Sequence, residues 1–288
     1  MIDQKAVKRI VREALREDIG AGDVTTAVVI PANARASADI IVREEAVICG
    51  VDVVREVFHA VDNKQVFRAL CADGDLMSPG ARIAHVSGPA RGMLTAERVA
   101  LNFLGRLSGI ATLTRSFSDA VQGTGAVILD TRKTTPCLRA LERAAVRAGG
   151  GMNHRFDLGS MVLVKDNHRV LAGMRMSLAD MVRLIRRKTG KHVQVEVDTL
   201  EELADLLKCP PDMILLDNMS PAVMRQAVAM VRSLPQDKRP LLEASGGIGI
   251  KNIRAVALSG VDRISIGALT HSARSIDVSF EFHQGRSA

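Results

Sequence analysis

The sequence has no Trp and no Tyr, and only seven Phe in 288 residues. The core must therefore be filled by Val, Leu, Ile, Ala and Met, and the aromatic platforms on which single-stranded nucleic acid stacks are missing. No uninterrupted apolar run approaches the ~20 residues that a membrane-spanning helix needs. Cysteine is scarce as well: Cys49, Cys71, Cys137 and Cys209 form no CxxC pair and have no metal-ligand spacing. A chain of this size needs no disulfide staples, so they read as reduced, mostly core residues in a reducing compartment. The first residues, MIDQKAVKRIVREALRED, read as a charged amphipathic helix rather than a secretory signal, and a cytoplasmic address is the expectation.

What is present is ordinary globular usage: 47% hydrophobic residues, 25% charged residues and 23 glycines. The length suits a barrel-sized domain, alone or with a smaller companion. The net charge of +7 fits either a bland basic surface or attraction of a small polyanionic substrate.

Apolar residues at helical spacing (Val7, Ile10, Val11, Ala14) predict a helix over Ile2 to Leu15, ending before the turn signal Ile19-Gly20-Ala21-Gly22. Short β-type runs follow at Ala36 to Arg43, Ala46 to Cys49, Gln65 to Ala69 and Ala81 to Ser87, with one helix near Val51 to Val61, which is an α+β pattern. From Thr95 helices are expected over Ala96 to Leu107 and Thr112 to Val121, separated by the breaker Ser108-Gly109. After residue 125 short apolar strands recur at Val127 to Leu129, Met161 to Val164, Val193 to Val197, Met213 to Leu216, Leu241-Leu242 and Arg263 to Ile266. Helical segments separate them (Leu138 to Ala148, Leu178 to Thr189, Leu200 to Leu207, Pro221 to Val231, Ile250 to Ser259). Strands alternating with helices imply a parallel sheet with crossover helices, and this many in a row suggests a barrel.

Every one of these strands ends in polar, charged or glycine-rich residues: Asp130-Thr131-Arg132-Lys133, Lys165-Asp166-Asn167-His168, Glu196-Val197-Asp198, Asp217-Asn218, Glu243-Ala244-Ser245-Gly246-Gly247 and Ser265-Ile266-Gly267. In a parallel barrel these ends open on one face, where barrel enzymes place their chemistry. Arg132, Lys133, His154, Arg155 and Lys165, with His168, form a cationic group suited to carboxylates or phosphates, because Arg pairs bidentately with each. His154 and His168 have no partner at metal-binding helical spacing, and a lone His is more often structural; they gain interest only from flanking Arg155 and Lys165. Glu196 and Asp217 suit Mg²⁺ against a pyrophosphate, stabilisation of a cationic sugar carbon, or a plain salt-bridge network. Ser245-Gly246-Gly247 before a helix, with Gly267 one strand later, matches a two-loop phosphate cradle, although glycines also make plain turns.

The runs EDIGAGDVTT (17 to 26), LTAERVALNFLGRLSGIAT (94 to 112), DTRKTTPCLRALE (130 to 142), AGGGMNHR (148 to 155), VLVKDNH (162 to 168), VEVDTLEE (195 to 202), LLDNM (215 to 219), EASGGI (243 to 248) and ISIGALTHSA (264 to 273) resemble the quinolinate phosphoribosyltransferase family, in the right order over nearly the whole chain. The resemblance implies an α/β protein with an N-terminal α+β sandwich domain (residues 1–110) and a C-terminal incomplete α/β barrel (111–270), with residues 271–288 as a tail able to pack back on the first domain. It implies a homodimer, or higher homo-oligomer, in which Arg98 reaches across the interface to a substrate carboxylate. Carried over by position, Arg132, His154, Arg155 and Lys165 form the quinolinate pocket, with Arg139 a further candidate for its cationic rim. Lys133 lies between quinolinate and phosphoribosyl pyrophosphate, Glu196 and Asp217 meet ribose and Mg²⁺, and Ser245, Gly246, Gly247 and Gly267 hold the 5′-phosphate. Lys133, Glu196 and Asp217 are the catalytic candidates. Arg143-Ala144, Ser160 and Arg169 depart from the residues common in the family, which affects contacts behind the site.

The implied activity joins quinolinate to phosphoribosyl pyrophosphate with loss of carbon dioxide to give nicotinate mononucleotide, a step of NAD biosynthesis. A relative associated with molybdenum transport shares the DTRKT and HR runs, whereas KDNH and TAERVALN favour the quinolinate enzyme. A nicotinate phosphoribosyltransferase would have no use for so many carboxylate-binding cations. A nucleic-acid-binding protein would carry its cations along one strip, not at strand ends beside acids and glycines.

Overall fold

The computed structural model of the chain describes residues 4–172 and 176–283. Ile2 and Asp3, expected in the first helix, and residues 284–288 of the tail lie outside the described residues. In chain order the elements are α1 (Gln4–Ile19), α2 (Val24–Val29), β1 (Arg35–Val42), β2 (Ala46–Val47), α3 (Val51–Val61), β3 (Val66–Ala69), β4 (Leu76–Met77), β5 (Arg82–Pro89), α4 (Ala90–Ala120), β6 (Val127–Leu129), α5 (Arg139–Ala148) and β7 (Val162–Val164). They continue with α6 (Asp166–Ala172), α7 (Leu178–Lys188), β8 (Val193–Val197), α8 (Leu200–Leu206), β9 (Met213–Asp217), α9 (Pro221–Arg232), a 3₁₀ turn, β10 (Leu241–Ser245), α10 (Ile253–Ala257), β11 (Arg263–Ser265), α11 (Ala268–His271) and β12 (Val278–Phe282). Two compact units result, one of Met1–Arg115, Thr134–Gly150 and Leu269–Ala288, the other of Ser116–Lys133 and Gly151–Ala268.

The first unit is built on an antiparallel sheet in the order β12-β1-β5-β3. Period-two alternation along β1 sends Ala38, Ile40 and Val42 into the core, where Ala84 and Val86 of β5 stand opposite Ile40 and Ala38. Phe58 of α3 is buried against them, its ring centroid 6.2 Å from Phe67 and 5.4 Å from Phe280. The intervening residues, Asp39 and its cross-strand partner His85, therefore point to the opposite face. The tail contributes β12, which pairs along β1 from Ala38↔Phe282 to Val42↔Val278.

Two sequence expectations change here. The two helices expected on either side of Ser108-Gly109 are one helix, α4. Gly109 is no breaker: a Cβ there would lie 1.9 Å from the Arg274 carbonyl oxygen, so the glycine lets a neighbouring backbone approach. Ser108 is also occupied, its Oγ accepting from the Cys49 N–H at 3.0 Å. The helix expected over Leu138 to Ala148 belongs to the first unit rather than to the barrel's crossovers. Its buried Glu142 accepts from Arg106 of α4 at 2.8 Å and from the Thr135 N–H at 3.0 Å, and a Cβ on Gly149 would meet the Ala111 carbonyl oxygen at 2.3 Å.

The second unit holds a six-stranded, wholly parallel sheet in the order β6-β11-β10-β9-β8-β7. The flanking strands β6 and β7 share no ladder, and a single bridge from Leu129 to Met152 extends the β6 edge, so the barrel is incomplete. Register puts Glu196 opposite Leu215, Leu215 opposite Glu243, and Glu243 opposite Arg263 in one row, with Ser245 opposite Asp217 near the carboxyl ends. Because all six strands run the same way, those ends open together. Among the described residues no helix is long and apolar enough to cross a membrane.

Candidate active site

The site grows from the carboxyl ends of this parallel sheet. Asp130 follows β6, is fully buried, and accepts from the His154 N–H at 2.7 Å and from Asn153 Nδ2 at 2.7 Å. That carboxylate fixes the loop bearing His154 and Arg155. The His154 ring is enclosed: Nδ1 accepts from the Arg155 N–H at 2.7 Å, which leaves the ring proton on Nε2, 3.0 Å from Gln194 Oε1 and 3.4 Å from Glu243 Oε1. Gln194 in turn donates to the other oxygen of Glu243 at 3.0 Å. Burial pushes the Glu243 carboxyl up, but hydrogen bonds from His154, Ser265 and Gln194 hold it below the usual carboxylate range.

Arg155 is anchored through its guanidinium to the Met161 carbonyl at 3.0 Å. Burial, then the neighbouring positive charge of Arg132, lowers its pKa, which places the two guanidinium groups close enough to repel. Two guanidinium groups suit carboxylates or phosphates, each of which a planar guanidinium pairs with bidentately. Lys165, at the end of β7, donates to Glu196 at 2.6 Å; the carboxylate is buried and the ammonium is half exposed. The Lys165 N–H donates to His168 Nδ1 at 3.0 Å, so His168 closes the turn into α6. Lys133 is exposed beyond β6, its N–H bonded to Thr131 Oγ1 at 3.1 Å.

Glu196, Asp198 and Asp217 each bring a carboxylate oxygen within 4.8 Å of the others. Burial, then repulsion from Glu202 and from Glu196 and Asp217, raises the Asp198 pKa, with Arg169 opposing. Three converging carboxylates suit a hard cation taking oxygen ligands, so the donor set fits Mg²⁺. Asp198 stands in a strand end that the sequence displays, yet its charge alone did not mark it out. Arg169, an unusual residue after KDNH, is explained here: it pairs with Glu202 and lies 3.8 Å from Asp198. Ser160 closes a small loop with Asp157, its Oγ donating at 2.7 Å.

The glycine loop after β10 has a stereochemical reason. Gly246 has φ +89°, and a Cβ there would meet Asn218 Oδ1 at 2.2 Å and Asn218 N at 2.8 Å. Asn218 itself is left-handed at φ 53°, donates its N–H to the Ser245 carbonyl at 2.9 Å, and donates through Nδ2 to Asp217 at 2.6 Å. The loop thus positions Asp217. Gly247 (φ +62°) faces open space, and Asn252 bridges Gly247 O at 3.0 Å and Gly249 N at 2.8 Å. Gly267 lies just beyond β11.

The second unit contains Arg132, Lys133, His154, Arg155, Lys165, Glu196, Asp217, Ser245, Gly246, Gly247 and Gly267. Arg98 and Arg139 belong to the first unit: Arg98 is exposed on α4, and Arg139 opens α5 with Nε donating to Thr134 Oγ1 at 3.1 Å. Sequence reasoning displayed Asp130 at a strand end without giving it a role, and passed over Gln194. Their only signal is a polar residue inside or closing an apolar strand, which does not say which face it occupies.

Comparison with known proteins covers nearly the whole chain. Residues 23–108 match the N-terminal domain of quinolinate phosphoribosyl transferase and residues 110–281 its C-terminal domain. The nicotinate-nucleotide pyrophosphorylase [carboxylating] of Mycobacterium leprae is 42% identical over 280 residues, covering 96% of this chain and 97% of that protein. A probable enzyme of the same name from Bacillus subtilis is 37% identical, covering 96% and 93%. The solved nicotinate-nucleotide pyrophosphorylase from Francisella tularensis superposes with a TM-score of 0.90 at 36% identity, covering 98% of each chain.

Proposed function

The chain belongs to the quinolinate phosphoribosyl transferase family, and on that premise we propose how its residues divide the reaction. It is a decarboxylating phosphoribosyltransferase that converts quinolinate and phosphoribosyl pyrophosphate to nicotinate mononucleotide, pyrophosphate and carbon dioxide in NAD biosynthesis. Arg132 and Arg155 take the two carboxylates of quinolinate, with Lys165 and Arg139 as further cations. His154, whose ring nitrogens are engaged by the protein, positions Arg155 rather than acting as a free cation. Ser245, Gly246, Gly247 and Gly267 receive the 5′-phosphate, and Lys133 lies between the two substrates.

The ring nitrogen attacks the anomeric carbon as the bond to pyrophosphate breaks, and positive charge grows on the sugar. Glu196 and Asp217 stabilise that charge. Glu196, Asp217 and the adjacent Asp198 would hold Mg²⁺, which would supply charge neutralisation for a departing pyrophosphate. The positive ring nitrogen then stabilises the electron pair left on the adjacent carbon when its bond to the carboxylate breaks and carbon dioxide departs, and that carbon takes a proton from water. The cations that bind the carboxylates also aim the nitrogen, so binding and orientation come from the same groups. The enzyme works in the cytoplasm as a homodimer, each site receiving Arg98 from the second subunit.

The observation that carries this reading is the convergence, at one set of strand ends, of the carboxylates of Glu196, Asp198 and Asp217, with Lys165 donating to Glu196 at 2.6 Å. Incubation with quinolinate, phosphoribosyl pyrophosphate and Mg²⁺ should release nicotinate mononucleotide and carbon dioxide, with nicotinate inert; turnover of nicotinate alone would overturn it. Mixing the inactive Arg98→Ala and Lys165→Ala proteins should restore roughly a quarter of the wild-type rate, because half the dimers are hybrids with one intact site each. No recovery on mixing would place Arg98 in its own subunit's chemistry or in none.

A further inference from the structure

A second constellation of ligand-type side chains lies on the first unit's sheet, on the face opposite its apolar core. Asp39 of β1 stands in register with His85 of β5, and His283 immediately follows β12, its N–H donating to the Ser37 carbonyl at 2.9 Å. Three strands thus aim one carboxylate and two imidazoles at one point. Asp39 Oδ1 lies 2.7 Å from His85 Nδ1, Asp39 Oδ2 lies 3.3 Å from His283 Nε2, and one ligand atom from each residue falls within 4.8 Å of the other two.

We propose that Asp39, His85 and His283 form a binding site for a borderline divalent transition metal of the Zn²⁺, Co²⁺ or Ni²⁺ type, distinct from the catalytic cation. Ligand bonds of 2.0–2.1 Å in a tetrahedral site set donor atoms about 3.3 Å apart. An entering ion therefore replaces the 2.7 Å hydrogen bond between His85 Nδ1 and Asp39 Oδ1 and moves that ring outward by some tenths of an ångström, while His283 Nε2 already lies 3.3 Å from Asp39 Oδ2. Two imidazoles with one carboxylate select against Mg²⁺, which takes oxygen ligands, and leave a fourth position for water. The donors are pre-organised without metal, because ladder hydrogen bonds between β1, β5 and β12 set their backbone positions. Access is open: the Asp39 side chain is buried while those of His85 and His283 are 36% and 50% exposed. Arg82, whose Nη1 lies 3.4 Å from Asp39 Oδ2, is largely exposed and can swing clear of an incoming ion. Burial pushes the Asp39 carboxyl up, but hydrogen bonds from His85, His283 and Arg82 hold it below its ordinary value, so it is ionised and ready to ligate at neutral pH. The ion would pin the end of β12 to the middle of the sheet, linking positions 39, 85 and 283 of the chain.

The test is titration of the full-chain, chelator-treated protein with Co²⁺ in Mg²⁺-free buffer. One equivalent should bind with the intense visible absorption of tetrahedral, nitrogen-ligated Co²⁺, and Zn²⁺ should displace it and raise the melting temperature. His85→Ala and His283→Ala should each weaken binding by at least the roughly 10–100-fold that loss of a supporting partner costs a metal site. Glu196→Gln should leave the spectrum intact, which separates this site from the carboxylate cluster at the strand ends. His283 lies beyond the last strand, so its variant should fold without metal, with at most a small loss of stability from the missing Asp39 hydrogen bond, and decide the matter if His85→Ala does not fold. Absence of the tetrahedral spectrum, or its persistence in folded His283→Ala, overturns the proposal.

Discussion

The inner face of the antiparallel sheet and the inner face of the parallel sheet solve opposite problems. The first is closed by Ala38, Ile40, Val42, Ala84, Val86 and Phe58, all buried and all apolar, and sends its one buried carboxylate, Asp39, to the other side. The second carries Gln194, Glu196 and Glu243 in strand interiors, each buried and each needing a partner. An apolar core gains from every methylene removed from water. A polar interior gains nothing from burial itself and survives only because His154, Gln194, Ser265 and Lys165 answer its charges. The lesson is a division of labour: one unit holds itself together, and the other spends stability on an arrangement of charges.

The sharpest break of that comparison is a pair of truncations. Phe58→Ala should cost about 3–5 kcal/mol of stability, measured by denaturant unfolding, and leave turnover of the folded fraction unchanged. Glu196→Ala should do the reverse. Loss of a group that stabilises transition-state charge lowers turnover on the order of 10²–10³-fold, while removing a carboxylate whose partner Lys165 is half exposed leaves melting little altered. Arg132→Ala belongs with it, raising the quinolinate requirement more than it lowers turnover. A stability loss in Glu196→Ala as large as that of Phe58→Ala would erase the distinction.

A smaller effect separates the two glycines of the β10 loop. Both Gly246→Ala and Gly247→Ala force a left-handed residue, at roughly 1–2 kcal/mol each. Only at Gly246 does the added methyl strike Asn218, and through it the hydrogen bond that orients Asp217. Gly246→Ala should therefore raise the KM for phosphoribosyl pyrophosphate and lower turnover, whereas Gly247→Ala should show mainly the stability cost. Equal kinetic damage in both would mean that backbone conformation, not the Asn218 contact, sets the site.

Much of this was legible in the sequence, and the reason is local. The strand ends announce themselves because Lys165, Asp217 and Ser245-Gly246-Gly247 close apolar runs, and α3 appears over the residues its periodicity predicts, Val51–Val61. What stayed hidden depends on distant neighbours. Gly109 reads as a breaker until the Arg274 backbone is seen against it. Leu138 to Ala148 reads as a barrel crossover until Glu142 is found under Arg106. Asp198 becomes a cation ligand only when the sheet folds Asp217 beside it, and Asp39 becomes interesting only when β5 and β12 bring two imidazoles to it. Spacing in sequence reports which face a residue takes; it does not report what another strand puts there.

The mildest test concerns an ion pair at the surface of the apolar unit. Glu44, just past β1, accepts from Arg274 Nη1 at 2.8 Å and from the Asp277 N–H at 3.0 Å, and these bonds hold its pKa at about 2 against an ordinary value of 4.5. A carboxyl depressed in the folded state stabilises the fold at pH above its unfolded value and loses that contribution as pH falls through the folded one. The pair should thus contribute fully above pH about 4.5 and progressively less toward pH about 2. Its size is limited by solvent screening to under about 1 kcal/mol, and salt should reduce it further. Arg274→Ala should lower the melting temperature slightly at pH 7, and the difference from wild type should shrink as the pH drops toward 3. A difference that stayed constant with pH would show that Arg274 contributes by packing and not by charge, and that even the edge of the apolar unit is governed by burial alone.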